Sequence, residues 1–99
     1  MATLHIPPTL TRARRFDVDV RFVVQCPAGG SAASHAMTVE VNGQREWARQ
    51  IETSNPGQTD SLDYHFRVEV PVRSALRVRA LTRVQGAVRR RLVIEAVEA

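Results

Sequence analysis

Phe16-Asp17-Val18-Asp19-Val20-Arg21-Phe22-Val23-Val24 sets apolar side chains at every second position and, as far as Arg21, charged ones between them. An extended chain sends successive side chains to opposite faces, so this spacing makes one apolar and one mostly polar face, a half-buried β-strand. The alternation returns downstream, where Leu62, Tyr64, Phe66, Val68, Val70 and Val72 interleave with Asp63, His65, Arg67, Glu69, Pro71 and Arg73. Pro71 has no N–H for a ladder, which suits an edge strand or a strand end. Between these runs, Met37, Val39 and Val41 alternate with Thr38 and Glu40 before Asn42-Gly43, a strong signal for a tight hairpin turn. Arg45 to Ile51 is expected to return as the partner strand. A short helix over 44–52 is the competitor, because Trp47, Ala48 and Ile51 also share a helical face and the segment is made of good helix formers.

Further out, Leu76, Val78, Ala80 and Val84 are expected to face inward, with Arg77, Arg79, Leu81 and Arg83 outward. A turn near Gln85-Gly86-Ala87 and the run Leu92, Ile94, Ala96 complete a predicted C-terminal hairpin. A three-residue turn would set Leu76 against Ala96, Val78 against Ile94 and Arg77 against Glu95, an opposite-charge cross-strand pair. Thr3 to Ile6 and Thr9 to Ala13 read as a first strand interrupted by Pro7-Pro8, a way of blunting a sheet edge. Pro27 to Ser34 and Thr53 to Ser61, rich in turn formers, read as mobile loops. The expected fold is all-β: a two-layer antiparallel β-sandwich of about seven strands, formed by one domain over 1–99. The helix at 44–52 would make it α+β instead.

With 99 residues, 43% of them hydrophobic, the chain can bury one core but not two. The formal charge is +4, and every basic residue is an arginine. Lysine-free, alanine- and valine-rich usage is what a GC-rich bacterial genome encodes, and its absence of lysine excludes Schiff-base chemistry. No run approaches the roughly 18 apolar residues of a membrane span, and the first residues lack a signal-peptide pattern, so a soluble cytoplasmic protein is expected. Lone Cys26 forms no internal disulfide, in keeping with a reducing compartment.

Seven alternating strands in about 100 residues, with Cys26 at the end of the second, resemble immunoglobulin-like and fibronectin type III sandwiches. The resemblance is architectural. The late strands carry no second cysteine, and Trp47 stands a strand later than the usual core tryptophan. Domains of this architecture serve adhesion, chaperoning, secretion and enzyme accessory roles, so the resemblance implies a frame rather than one activity.

The sharpest local feature is a basic strip. From Arg73 to Arg91 the charged residues are Arg73, Arg77, Arg79, Arg83, Arg89, Arg90 and Arg91, without one acid. Because antiparallel strands reverse direction, the loops at 27–34, 53–61 and 85–87 should meet at one pole, with Arg83, Arg89, Arg90, Arg91 and Arg79 as the candidate binding set. This predicts a non-enzymatic interaction or accessory domain whose basic loop pole meets a protein partner with an acidic surface. The plain alternative is a solvated strand face that discourages edge pairing. A nucleic-acid or polyanion-binding module is the second reading, though Phe16, Phe22, Tyr64 and Phe66 all have core phase and only Trp47 is left for stacking. A small-ligand domain or enzyme with a hidden pocket is the third. Asp63 and His65 share an outer face, but no nucleophile motif accompanies them. His5, His35 and His65 lack zinc-ligand spacing, so no metal or cofactor is expected. Cys26 is either a reactive thiol or a small buried hydrophobe. Val23, Val93 and Val97, in outward positions, suggest a covered sheet face, in a monomer with a partner or in a weak homodimer through the last strand.

Overall fold

The computed structural model describes residues 1–29, 32–53 and 55–99. Gly30, Ser31 and Ser54, which belong to two of the expected loops, lie outside the described residues.

Seven strands follow one another: β1 (Ala2–Ile6), β2 (Arg14–Gln25), β3 (Ser34–Val41), β4 (Gln44–Glu52), β5 (Thr59–Val70), β6 (Leu76–Gln85) and β7 (Val88–Glu98). They form an all-β sandwich of two antiparallel sheets, a four-stranded one in the order β1-β6-β3-β4 and a three-stranded one in the order β5-β2-β7. No helix is present among the described residues.

β2 is the spine of the smaller sheet. Its apolar phase, Phe16, Val18, Val20, Phe22 and Val24, lies wholly in the core, against Met37, Val39, Leu76, Val78 and Ala80 from the facing sheet. Burial of these side chains is the main stabilising contribution, at about 25 cal/mol for each Å² of apolar surface removed from water. β5 pairs with β2 from Arg14↔Val70 to Gln25↔Thr59 and ends just before Pro71. β1 pairs with β6 and ends at the Pro7-Pro8 step, at the edge of its sheet. Below it, buried Arg14 joins three segments: Nη2 donates to the carbonyls of Pro7 and Ser74, and the guanidinium lies 5.5 Å from the Phe16 ring.

Gln44–Glu52 is a strand. Asn42 (φ 50°) and Gly43 (φ 83°) form a turn with both central residues left-handed, which sends the chain back along β3 with Val39 opposite Trp47. Trp47 and Ile51, four residues apart, share a face at either period, so pattern alone did not exclude the helix. The turn and the unpaired edge of β3 decide it.

The C-terminal hairpin does not form. β6 pairs with β1 and β3, while β7 crosses to the other sheet and pairs with β2, so Arg77 faces His5 rather than Glu95, and Val78 faces Leu4 rather than Ile94. In immunoglobulin domains the last two strands are sheet neighbours; here the terminal strands have exchanged sheets. The cause is visible in β7: Leu92, Ile94 and Ala96 complete the apolar face already presented by Phe22, Val20 and Val18. The alternating pattern assigns the inward phase of a strand correctly but does not say which sheet receives it.

Candidate functional site at the loop pole

The expected convergence of loops is present. Gln25 lies opposite both Thr59 and Val88, and Ser34 lies opposite both Glu52 and Gln85, so the ends of β2, β4 and β6 and the starts of β3, β5 and β7 share one pole. Backbone bonds tie the connections together: Cys26 N–H to the Gln58 carbonyl at 2.9 Å, Gly57 N–H to Pro27 at 3.3 Å, and Thr53 N–H to Ala33 at 2.9 Å.

The arginines there are distributed differently from the expectation. Because β6 and β7 belong to different sheets, Arg83 lies on the outer face of one sheet and Arg91, opposite Val23, on the outer face of the other. A bulge separates them further. Val23 faces Arg91 and Val24 faces Arg89, leaving Arg90 as the extra residue. Arg89 thereby takes the inward phase and reaches across to β6, donating from Nη2 to the Thr82 carbonyl at 3.0 Å and from Nε to Thr82 Oγ1 at 3.3 Å. Arg83, Arg89, Arg90 and Arg91 thus fan around the β6/β7 side of the pole instead of sharing one face. Three consecutive arginines occupy both faces of a strand in any register, so the residue types gave no signal for the bulge, which shows only in the pairing with β2. Arg79 stands apart: it lies mid-strand opposite Glu40 and pairs with it at 2.9 Å, about 20 Å along β6 from the pole. Glu52 and Asp60 occupy the β4/β5 side, so the pole is basic on one flank and acidic on the other.

With Arg79, four more arginines are matched by acids among the described residues, while Arg45, Arg49, Arg73 and Arg77 are not. Arg15 pairs with Glu69 at 3.0 Å, Arg21 with Asp63 at 2.8 Å and Arg67 with Asp17 at 2.8 Å, and Arg12 with Glu98. The bond from Arg67 holds the Asp17 carboxyl below its usual range, as that from Arg12 does for Glu98. Arg83, Arg90 and Arg91 have no ion-pair partner among the described residues.

Asp63 and His65 flank a groove of about 440 Å³ on the outer face of β5-β2-β7, with Asp19, Arg21, Arg91, Val93 and Glu95. They do not act on each other: Asp63 binds Arg21 and the Ser61 hydroxyl, and His65 Nδ1 meets Asp19 at 2.8 Å. Trp47 stacks on Tyr64 with ring centroids 4.8 Å apart, on the β4/β5 side away from the arginines. Cys26 is buried and packs as a small hydrophobe. Among the described residues no three His, Cys, Asp or Glu side chains form a metal-holding group, and no helix is long and apolar enough to cross a membrane.

From sequence, His35 is weighed only as a metal ligand and set aside for lack of zinc-ligand spacing. It lies under the pole, 1% exposed, with Nδ1 2.7 Å from Thr53 Oγ1, its ring edge-on to Phe22 and Nε2 without a partner. Burial pushes its pKa below 6.5, opposed in part by the charge of Asp60. The unfolded chain therefore takes up a proton near pH 6.5 that the folded chain refuses. Stability is complete above that pH and falls as pH drops through it toward the folded value, by up to about 1.4 kcal/mol per pH unit. Urea denaturation at pH 7.5 and 5.5 should show this decline in the wild type and a smaller one in His35→Gln; equal declines would assign the effect to other groups. No protein-family model matches the chain, and no curated protein matches it either.

Proposed function

We propose that this protein is a non-enzymatic binding module that meets an acidic protein surface with the basic flank of its loop pole. The observation that carries this reading is local: Arg15, Arg21 and Arg67 on the outer face of β2 and β5 are held by carboxylates, whereas Arg83, Arg90 and Arg91 gather on one flank of the pole with no ion-pair partner among the described residues; Arg45, Arg49, Arg73 and Arg77, likewise without one, are spread over β4 and around the start of β6. Unmatched guanidiniums around a fixed frame favour bidentate recognition of carboxylates, and Arg89, anchored on Thr82, stiffens the rim beneath them. Resemblance to immunoglobulin-like sandwiches belongs to the same reading, since such frames commonly present loops and edges to partners. A protein surface is preferred to nucleic acid because Trp47 and Tyr64 are engaged with each other on the far flank, leaving no stacking platform beside the arginines.

Amide NMR of the labelled protein, titrated with poly-glutamate and separately with a single-stranded oligonucleotide, tests the reading. Poly-glutamate is expected to shift Arg83 and Arg89 to Arg91, with binding that weakens as salt rises. The double variant Arg83→Glu/Arg90→Glu should weaken it roughly tenfold. Shifts spread over Arg45, Arg49, Arg73 and Arg77 as well, or none, would overturn it. Tighter binding of the oligonucleotide would replace it with the nucleic-acid reading.

A further inference from the structure

β7 is the edge of the three-stranded sheet, and its outer face carries the unsolved part of that sheet's charge pattern. Between β2 and β5 every outward charged side chain has a partner: Arg15 pairs with Glu69, Asp17 with Arg67 and Arg21 with Asp63, and Asp19 is hydrogen-bonded to His65. On β7 the outward residues are Arg91, Val93, Glu95 and Val97, and neither Arg91 nor Glu95 has an ion-pair partner among the described residues. Glu95 even lies directly across from Asp19, a like charge, which disfavours the isolated sheet. Val97 is 66% exposed beside them.

The backbone of the same strand is equally incomplete. Ala99 N–H donates to the Arg15 carbonyl, so odd-numbered residues of β7 bond to β2. Leu92, Ile94, Ala96 and Glu98 therefore turn their N–H and C=O groups toward an edge with no strand beyond it among the described residues. Such a row is a template for another strand, and here the side chains specify which one.

We propose that a second copy of this chain docks on β7, antiparallel, about a two-fold axis at Val93, joining the two small sheets into one continuous sheet. In this register Leu92 and Ile94 of opposite copies exchange backbone bonds on both sides of the axis. Val93 faces Val93, and Arg91 of each copy faces Glu95 of the other. Both unanswered charges are satisfied twice over by symmetry, and the like-charge contact of Glu95 with Asp19 gains a cation on its other side. Neighbouring registers fail this requirement: an axis at Ile94 sets Arg91 against Val97 and Glu95 against Val93, and an axis at Glu95 sets that carboxylate against itself. The interface is isologous, as two-fold pairing demands. It shares Arg91 with the proposed binding flank and leaves Arg83 and Arg90 unpaired there, so a dimer and a bound acidic partner draw on one common residue.

Sedimentation velocity over a concentration series tests it, with circular dichroism melting to check that each variant folds. The wild type is expected to move reversibly between monomer and dimer. Glu95→Arg and Arg91→Glu should each weaken self-association about ten- to a hundredfold, because two attractions become two repulsions. An equimolar mixture of the two variants should dimerise again, since one supplies only arginines and the other only glutamates at the facing positions. Val93→Cys should form a disulfide-linked dimer under mild oxidation, because a non-hydrogen-bonded pair brings its Cα atoms to about 4.5 Å, within the span of a disulfide. Cys26 is buried and does not compete. A wild type that stays monomeric at millimolar concentration overturns the proposal. A dimer indifferent to both charge reversals, or a mixture that stays monomeric, overturns the register and with it the proposal.

Discussion

Phe22→Ala is expected to lower unfolding free energy by about 3–5 kcal/mol, the usual cost of emptying a buried aromatic site. Phe22 is 1% exposed and packs between the sheets, flanked in its own sheet by Leu62 and Leu92 and touched edge-on by His35. A domain of this size holds about 5–15 kcal/mol in total, so the variant should lose a large part of its stability. Phe22→Leu, which keeps most of the volume, should lose less, about 1–2 kcal/mol. Urea denaturation measures both. Near-equal losses would mean that the ring is not the wedge between the layers at this level. Because the ring supports His35 beneath the pole, the alanine variant should also blunt the pH dependence assigned to that histidine.

The second large effect is expected at Gly86, in the connection that carries the chain from one sheet to the other. Its φ is +74°, and a Cβ there would lie 2.7 Å from the Ala32 carbonyl oxygen and 3.3 Å from Ala33 Cα, both backbone atoms that cannot swing aside. Gly86→Ala should therefore cost about 2–4 kcal/mol, of which about 1–2 kcal/mol is the left-handed backbone alone. Gly43 isolates that share. Its φ is +83° with nothing within 4 Å of a built Cβ, so Gly43→Ala should show only the conformational part. A Gly86→Ala loss no larger than that of Gly43→Ala would refute close packing of the crossover against the Ala32-Ala33 segment. Thermal denaturation of the two variants side by side decides it.

How far the sequence could be read depends on what each pattern encodes. A period of two encodes the phase of a strand, and the inward residues of β2, β5 and β6 follow it from Phe16 to Ala80. Asn42-Gly43 encodes a local reversal, and β3 and β4 pair around it. Sheet membership is encoded nowhere locally. β7 was read as the partner of β6 because a Gly-containing turn joins them, yet its apolar phase fits beside β2 equally well. The basic pole was legible because strand reversal alone brings the three loops together. Its division over two faces was not, since it follows from the crossover and from the bulge at Arg90. His35 was hidden for a different reason: a lone histidine in an alternating segment has no spacing signature, and only burial against Phe22 and Thr53 distinguishes it.

The exchange of the terminal strands also sets how the chain must assemble. Only β3 and β4 are joined by a short turn and paired with each other; β1 must find β6, and β7 must find β2, across most of the chain. Each of those closures incurs loop entropy before any contact compensates it, which places folding in the millisecond-to-second range of β-sandwiches. During synthesis β2 emerges early, but one of its edges stays open until the last residues arrive. Refolding of a chain lacking β7 should therefore leave the smaller sheet with an exposed central strand, and premature termination at that point would yield a sticky two-stranded ribbon instead of a smaller stable domain.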